Sequence, residues 1–508
     1  MGEIGTRSRR RRKSDAPKAG RITNYRQLRN PFPPMDAVSE DEARAIHATS
    51  LRVLEELGMR VLLPEARTLF EAAGARVVDD MVFIGADIVE AALKSAPKSF
   101  PLKGAREERD LTMELGTLTF QPGAGAPHAT CRVKGRRPGT SQDFRELVQI
   151  TQSFDALHLV PTLIEPQDIP THLRHYDMVK SALTLSDKAF FIYSRGTAQV
   201  EDAFEMMRLY RGLSQEAFEA APHCYTIINT NSPRTLDVPM AQGILDFARA
   251  GQISIITPFT LMGAMAPITP AGAVTLSHAE ALAAITLGQL ARPGSPQMYG
   301  TFTSNVDMKS GAPAFGTPEH FRASLLAGQL ARMIGLPWRC ASGSASNIND
   351  SQGANENQLA MWGCLMAGAT TIVHAAGWLE GGLTVSYEKL ICDMDVVNAV
   401  ADLCTPTEAT EDAIGFEAIK EVAPQGHFFA AAQTMARYTT EFYEPVISDW
   451  SNFGTWEERG SLTAHERATE RWQEILRQPG PAIDPDRLGA LTDFIAKRSA
   501  EGGAPPAS

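Results

Sequence analysis

Through the middle of the chain, apolar and β-branched residues gather in short runs. Each run is followed by a longer stretch whose apolar positions recur at helical spacing. The runs are Thr117–Gln121, Leu157–Thr162, Ala189–Ser194, His223–Thr230, Ile253–Thr260, Gln297–Phe302, Trp338–Gly343 and Thr370–Ala376. Their hydrophobicity is continuous rather than alternating, which is the pattern of strands buried on both faces. Between them the spacing predicts helices at Gln142–Phe154, His172–Leu185, Val200–Leu213, Val238–Ala250, Gly272–Leu290, Pro318–Ile334 and Ala354–Ala367, with another from about Ser386 to Leu403. Eight strands, each followed by a helix, match an α/β fold of the (β/α)₈ TIM-barrel type in count and length. An open doubly wound sheet shows the same alternation, but it calls for a glycine-rich phosphate turn after its first strand. The candidate turn, Gly123-Ala124-Gly125-Ala126-Pro127, lacks a third glycine and puts Pro127 and His128 where a helix should start. The barrel is favoured.

The barrel is expected over 117–404. Residues 36–116 form an N-terminal segment read as mainly helical between 40 and 100. There Ser39 precedes Glu40-Asp41-Glu42 as a cap with acids in the first turn, and Gly58 stops the run carrying Ile46, Leu51, Leu54 and Leu57. Residues 405–495, rich in proline and aromatic side chains, are expected as an extension packed on the barrel, and 496–508 as a mobile small-residue tail.

Charge separates the first residues from the rest. The chain has 508 residues with 48 Lys+Arg and 59 Asp+Glu, a net charge of −11. Residues 1–30 hold ten basic and two acidic side chains, a net +8, so the other 478 carry −19. An acidic body argues against nucleic acid as a partner. Residues 1–35 are read as a basic, disordered, solvated tail, with nuclear-localisation and transit-peptide readings of the arginine run left open. No apolar stretch is long enough to span a membrane, and no apolar segment follows the basic residues as in a secretory signal. The six cysteines form neither CxxC nor a zinc-ligand spacing with histidine, and a reducing cytoplasm is the expected location.

In a barrel the chemistry gathers where strands end. The strand ends offer Gln121, Glu165, Ser194-Arg195, Asn229, Asn231, Phe259, Tyr299, Phe302 and Asp307, then Ser344 through Asp350. The eighth run ends on His374, followed by the loop Gly377-Trp378-Leu379-Glu380-Gly381-Gly382 and by Tyr387-Glu388. Imidazole, aromatic face and carboxylate together suit a binding site; a hydrogen-bonded barrel histidine and a packing tryptophan are the bland counterpart. The cluster Asn347 to Gln352, with Glu356 beyond it, has its own bland explanation, since Asp350 or Ser351 can cap the helix that follows. There is no HExxH, no G-x-S-x-G elbow and no phosphate loop, and no resident metal is expected.

Several stretches give the sequence a family resemblance from about residue 40 to 495. They are Ile46-His47-Ala48-Thr49-Ser50 through Gly58-Met59-Arg60-Val61, Gln121-Pro122-Gly123-Ala124-Gly125-Ala126-Pro127, Met262-Gly263-Ala264-Met265-Ala266-Pro267 and Gly311-Ala312-Pro313-Ala314-Phe315-Gly316. The most specific is His374-Ala375-Ala376-Gly377-Trp378-Leu379-Glu380-Gly381-Gly382-Leu383 with Ser386-Tyr387-Glu388-Lys389. In these the chain resembles the trimethylamine methyltransferase family, the corrinoid-dependent methylamine and betaine methyltransferases. The resemblance implies a TIM barrel that moves a methyl group from a methylated amine to the Co(I) corrinoid of a separate carrier protein. Members using trimethylamine carry pyrrolysine; Ser344 to Glu356 holds standard residues only, as in the non-pyrrolysine branch exemplified by glycine betaine methyltransferases. The chain contains HxxG at His374 to Gly377, the end of the cobalamin-binding DxHxxG sequence, but Ile372 holds the aspartate position. No directly bound corrinoid is therefore expected.

With a quaternary amine as substrate, the expected cage is Tyr299, Phe302, Trp378 and Tyr387, with Glu380 and Asp350 supplying charge and His374 and Arg195 receiving a betaine carboxylate. His374, Glu380 and Asp350 are the candidate catalytic residues, and Gln352 and Glu356 join Arg195 as candidate substrate contacts. A homo-oligomer is expected. The rival functions are a non-catalytic amine-sensing barrel and a metal-dependent lyase on the same fold.

Overall fold

All eight runs become parallel strands of one sheet in a computed structural model, which describes residues 23–481 and 483–507. In chain order they are β1 (Thr117–Phe120), β2 (Leu159–Val160), β3 (Ala189–Phe191), β4 (Cys224–Ile228), β5 (Ile253–Ile256), β6 (Gln297–Gly300), β7 (Trp338–Ala341) and β8 (Thr371–Val373). Each strand pairs with its sequence neighbour, and β8 returns to β1 in the register Ile372↔Phe120. The remaining seam, between β1 and β2, is joined by the His158 N–H donating to the Phe120 carbonyl at 2.9 Å. The result is a (β/α)₈ barrel.

The helices follow as α1 (Ser141–Gln152), α2 (Thr171–Leu185), α3 (Thr197–Arg211), α4 (Val238–Arg249), α5 (Pro270–Ala291), α6 (Pro318–Ile334), α7 (Ser351–Met366) and α8 (Tyr387–Leu403). Their starts are fixed locally. Thr140 and Asp143 form a capping box on α1, Thr317 caps α6, and Asp350 caps α7 by accepting from the Gly353 N–H at 3.1 Å.

Three apolar clusters are found among the described residues. One fills the layer between strands and helices. A second closes the bottom of the barrel, where the hairpin Ser99–Leu102 and Leu111–Glu114 packs Phe100, Leu102 and Met113 against Tyr225, Ile255 and Met298. The third, Phe302, Phe315, Val373 and Trp378, lies at the opposite end.

Residues 40–100 are more mixed than their helical spacing predicts. Helices Glu40–Arg52, Pro64–Ala72 and Ala86–Ser95 alternate with strands Met59–Val61, Arg76–Val78 and Met81–Phe83. Strands of three residues are too short to establish an alternation in the sequence. Ser39 and Glu42 do form a capping box, and Gly58 ends the helical run at φ 70°.

Residues 1–22 of the expected basic tail lie outside the described residues. Beyond them Leu28–Arg29 pairs antiparallel with β1 and so belongs to the barrel sheet. At the other end, the helix Pro485–Ala500 packs on α3, with Arg498 bonded to Asp202 at 2.8 Å. The stretch read as a mobile tail is docked. Ala504 is buried, its N–H donates to the His172 carbonyl, and the Ala507 N–H donates to the Arg195 carbonyl at 2.8 Å.

By contact, Tyr25–Thr405 and Pro445–Ser508 form one unit that contains the barrel. The other includes Pro406–Glu444, built of short helices at Glu411–Ile414, Phe416–Glu421 and Ala432–Arg437. Among the described residues no helix is long and apolar enough to cross a membrane.

Candidate active site

Two small accessory sheets stand on the C-terminal ends of the barrel strands. In one, Phe259–Met262 pairs in parallel with Phe302–Val306, in the register Phe259↔Phe302. That register sets the two rings side by side, centroids 5.1 Å apart. In the other, Trp378–Leu379 pairs with Thr384–Ser386, so the loop after β8 doubles back over the mouth. Between them opens a cavity of about 340 Å³, within the range of small-molecule sites.

The cavity is walled by rings. His374 stacks on Trp378, and Phe302 lies 5.5 Å from His374 and 5.8 Å from Trp378. Phe315 supports the group from behind, 5.1 Å from Phe302 and 5.2 Å from Trp378. Phe191, the last residue of β3, and Tyr193 just beyond it form a further wall and meet edge to face at 4.9 Å. Thr162, Ser194 and Asn229 add polar groups.

His374 closes β8 with a left-handed backbone, φ 56°, and is 7% exposed. Burial, helped by the charge on Arg339, pushes its imidazole well below the usual histidine range, so the ring in the wall is neutral. Among the described residues its Nδ1 has no hydrogen-bond partner.

Arg195 lines the cavity and rests over the Tyr193 ring at 4.1 Å, but its guanidinium is engaged. Both of its terminal nitrogens donate to Glu165, which also pairs with Arg174. Arg339, on β7, is 2% exposed; its Nη1 donates to the Thr301 carbonyl at 3.2 Å and its Cζ is 5.6 Å from the Phe302 centroid. A lone arginine inside an apolar run, Trp338-Arg339-Cys340-Ala341, was the signal available in the sequence, because fully buried arginines are rare.

The structure thus brings His374, Trp378, Phe302 and Arg195 to one cavity. The other candidates sit elsewhere. Tyr299 points outward from β6, its hydroxyl 3.0 Å from His278 Nδ1, and His278 Nε2 meets His47 at 2.8 Å. Tyr387, the first residue of α8, donates its hydroxyl to Asp143 and Glu146. Glu380 is bound by Arg136 through both carboxylate oxygens; burial would raise its pKa, but the hydrogen bonds and charge of Arg136 outweigh that and hold it low. Asp350 serves as the α7 cap. Glu356 accepts from the Ser344 hydroxyl and the Ala345 and Ser346 N–H groups, and Gln352 donates to its other oxygen at 2.7 Å. These side chains shape the loop after β7 rather than the cavity.

Two further residues hold the mouth together. Asn357 accepts from the Gly343 N–H and donates to the Ala375 carbonyl, linking the ends of β7 and β8. Asp393 accepts from the Gly377 N–H at 2.8 Å and from Lys389 at 2.8 Å, deep inside the protein.

A larger groove of about 730 Å³ runs along Val446–Asp449 and the helix Ala464–Leu476. It is shallow and lined by mixed charges, and none of its lining residues belongs to a barrel strand or the loop that follows one. Among the described residues no group of three His, Cys, Asp or Glu side chains converges as metal ligands would.

The family profile described as trimethylamine methyltransferase (MTTB) matches residues 5–503. A glycine betaine methyltransferase of Desulfitobacterium hafniense (strain Y51) is 32% identical over 475 residues, 93% of this chain and 99% of that protein. A trimethylamine methyltransferase of D. hafniense (strain DSM 10664 / DCB-2) is 27% identical, covering 91% of this chain and 93% of its own. The crystal structure of the Methanosarcina barkeri monomethylamine methyltransferase MtmB aligns over 93% of this chain and 96% of its own, at 10% identity and a TM-score of 0.45.

Proposed function

The chain belongs to the trimethylamine methyltransferase family, and from that membership and its aromatic cavity we propose that it demethylates a quaternary amine, glycine betaine or a related betaine. The acceptor in this reading is the Co(I) corrinoid of a separate carrier protein, which supplies the electron pair that takes the methyl group. The observation that carries the reading is the ring-walled cavity at the barrel mouth, formed by Phe259, Phe302, His374 and Trp378.

Aromatic faces attract a quaternary ammonium through the ring quadrupole, at roughly 0.5–2 kcal/mol per face. Such an ion has no proton to give and no lone pair to protonate. When one methyl carbon exchanges its bond to nitrogen for a bond to the acceptor, nitrogen keeps the electron pair and leaves as a neutral tertiary amine. No general acid is needed. The neutral His374 suits that chemistry as part of the wall, and the site's work is to hold one methyl toward the mouth in a desolvated pocket. Glu380 and Asp350 act through the loops they hold.

The residues also suit a corrinoid that arrives on a carrier. His374, the histidine of HxxG, is buried against Trp378 instead of projecting as a ligand, and the aspartate position is the buried Ile372. The test is an optical assay of a Co(I) corrinoid carrier, with proton NMR of the amine. The expected result is loss of the Co(I) spectrum and formation of the dimethylated amine only when chain, betaine and carrier are all present. Tight betaine binding without transfer to any competent carrier would favour the amine-sensing alternative.

A further inference from the structure

One wall of the cavity carries a group that a receptor for a plain cation would exclude. Arg339 lines the cavity and is 2% exposed; among the described residues its side chain makes one hydrogen bond, to the Thr301 carbonyl, and its buried Nε has no partner. Among the described residues it forms no ion pair, in contrast to Arg195 on the same cavity, which is neutralised by Glu165. The ionisable groups whose charge it feels are the thiols of Cys340 and Cys364 and the phenol of Tyr225, all ordinarily neutral. Burial lowers its pKa to about 10, so it is charged at neutral pH. A buried, unpaired guanidinium is unfavourable unless an anion reaches it.

A ligand with only a positive charge would place a second cation beside this one. A zwitterion would not. Its anionic end can meet the guanidinium and its ammonium the rings. The register Gly300↔Arg339 puts Arg339 level with the end of β6, whereas Phe302 and Trp378 lie beyond the barrel strands on the accessory sheets. Arg339 is therefore the deeper end of the cavity and the rings its outer end.

We propose that Arg339 is the carboxylate receptor of this site, holding the anionic end of a zwitterionic quaternary amine inside the barrel with the N-methyl groups turned outward among Phe302, His374 and Trp378. The assignment rests on the quaternary-amine reading above and names the residue that receives the betaine's acid. It also makes Arg339 a specificity residue: choline, tetramethylammonium and esterified betaines lack the group it binds and bring only charge that it repels.

Calorimetric titration of the full chain with glycine betaine and with glycine betaine methyl ester tests this without any corrinoid. The wild type should bind the acid about 100-fold more tightly than the ester, about 2.8 kcal/mol at about 1.4 kcal/mol per decade. In Arg339→Met the two should bind within about threefold of each other, with the acid weakened and the ester not. Arg339→Lys should retain part of the preference. A wild type that binds acid and ester equally, or an Arg339→Met protein that keeps the preference, overturns the assignment and leaves the quaternary-amine reading standing. A wild type that binds neither overturns both. If Arg339→Met fails to fold by thermal unfolding, the acid–ester comparison on the wild type and on Arg339→Lys still decides.

Discussion

The imidazole of His374 lies nearly flat on the indole of Trp378, ring centroids 4.2 Å apart and planes 11° from parallel. The stack depends on a slot for the indole. A Cβ on Gly343 or Gly382 would overlap it, and both glycines have positive φ, 114° and 105°. Gly343→Ala should lower stability by about 1–3 kcal/mol through overpacking and weaken betaine binding by pushing the indole into the cavity. Urea unfolding and calorimetry measure the two effects. An unchanged affinity would mean that Trp378 is not part of the binding wall.

Phe302 and Tyr387 were both legible as cage candidates, yet only Phe302 faces the cavity. Phe302→Leu should weaken glycine betaine binding by about 0.5–2 kcal/mol, the range for one aromatic face. Tyr387→Phe should leave affinity within about twofold and instead destabilise the fold by about 1.5–3 kcal/mol, because its hydroxyl bonds the carboxylates of Asp143 and Glu146. Equal losses of affinity in the two variants would place Tyr387 in contact with substrate.

Acid should destabilise the protein through its buried histidines. Burial pushes His158 down to about 3 and His320 to about 4; His223 falls to about 4 through burial and the charge of Arg211. These folded values lie below the unfolded value near 6.5, so between them the unfolded chain binds more protons. Their stability is fully present above about pH 6.5 and is lost as pH falls toward the folded values, at up to about 1.4 kcal/mol per pH unit for each ring. Buried carboxyls such as Asp246 and Glu280, raised by desolvation, work in the opposite direction, so a single substitution isolates the effect. His320 Nδ1 accepts from the Gly316 N–H, a bond only the neutral ring can make. His320→Gln should flatten the dependence of the urea midpoint on pH between 7 and 5. An unchanged slope would show that His320 is free to protonate in the fold.

How much of this could be read in advance follows from the physics of each part. Barrel strands are buried on both faces, so their hydrophobicity is continuous, and all eight were visible as runs. The three-residue strands between 59 and 83 left no periodic signature. Strand ends drew attention to His374, Trp378, Phe302 and Arg195, because a barrel presents them at its mouth. Tyr299 belongs to the same strand end, yet its neighbour across the register is Trp338 and its hydroxyl reaches His278 in the helix layer; which face a strand residue takes is set by pairing, not by type. Asp350, Gln352 and Glu356 looked chemical because capping and loop-holding use the same polar residue types as binding. Arg339 was hidden within an apolar run. Its charge was an anomaly there, and its side-chain contacts, Thr301 and Phe302, lie just past the end of β6 rather than beside it in sequence.

The Lys389–Asp393 pair offers the most selective separation of stability from binding. Lys389 and Asp393 are buried, one turn apart on α8; Lys389 donates to one oxygen of Asp393 and to the Gly353 carbonyl, while the other Asp393 oxygen accepts from Gly377. Gly377, at φ 86°, is the turn that carries Trp378 back over the mouth. Asp393→Asn keeps an acceptor for the Gly377 N–H but leaves the lysine charge buried without its partner, a change that typically costs about 3–5 kcal/mol. Asp393→Leu removes both the charge and the acceptor. The asparagine variant should therefore be less stable while keeping betaine affinity within about threefold, whereas the leucine variant should lose at least about tenfold in affinity at a temperature where both are folded. Denaturant unfolding gives the first quantity and calorimetry the second. Equal affinities in the two variants would mean that the Gly377 bond does not position Trp378, and that Asp393 serves stability alone.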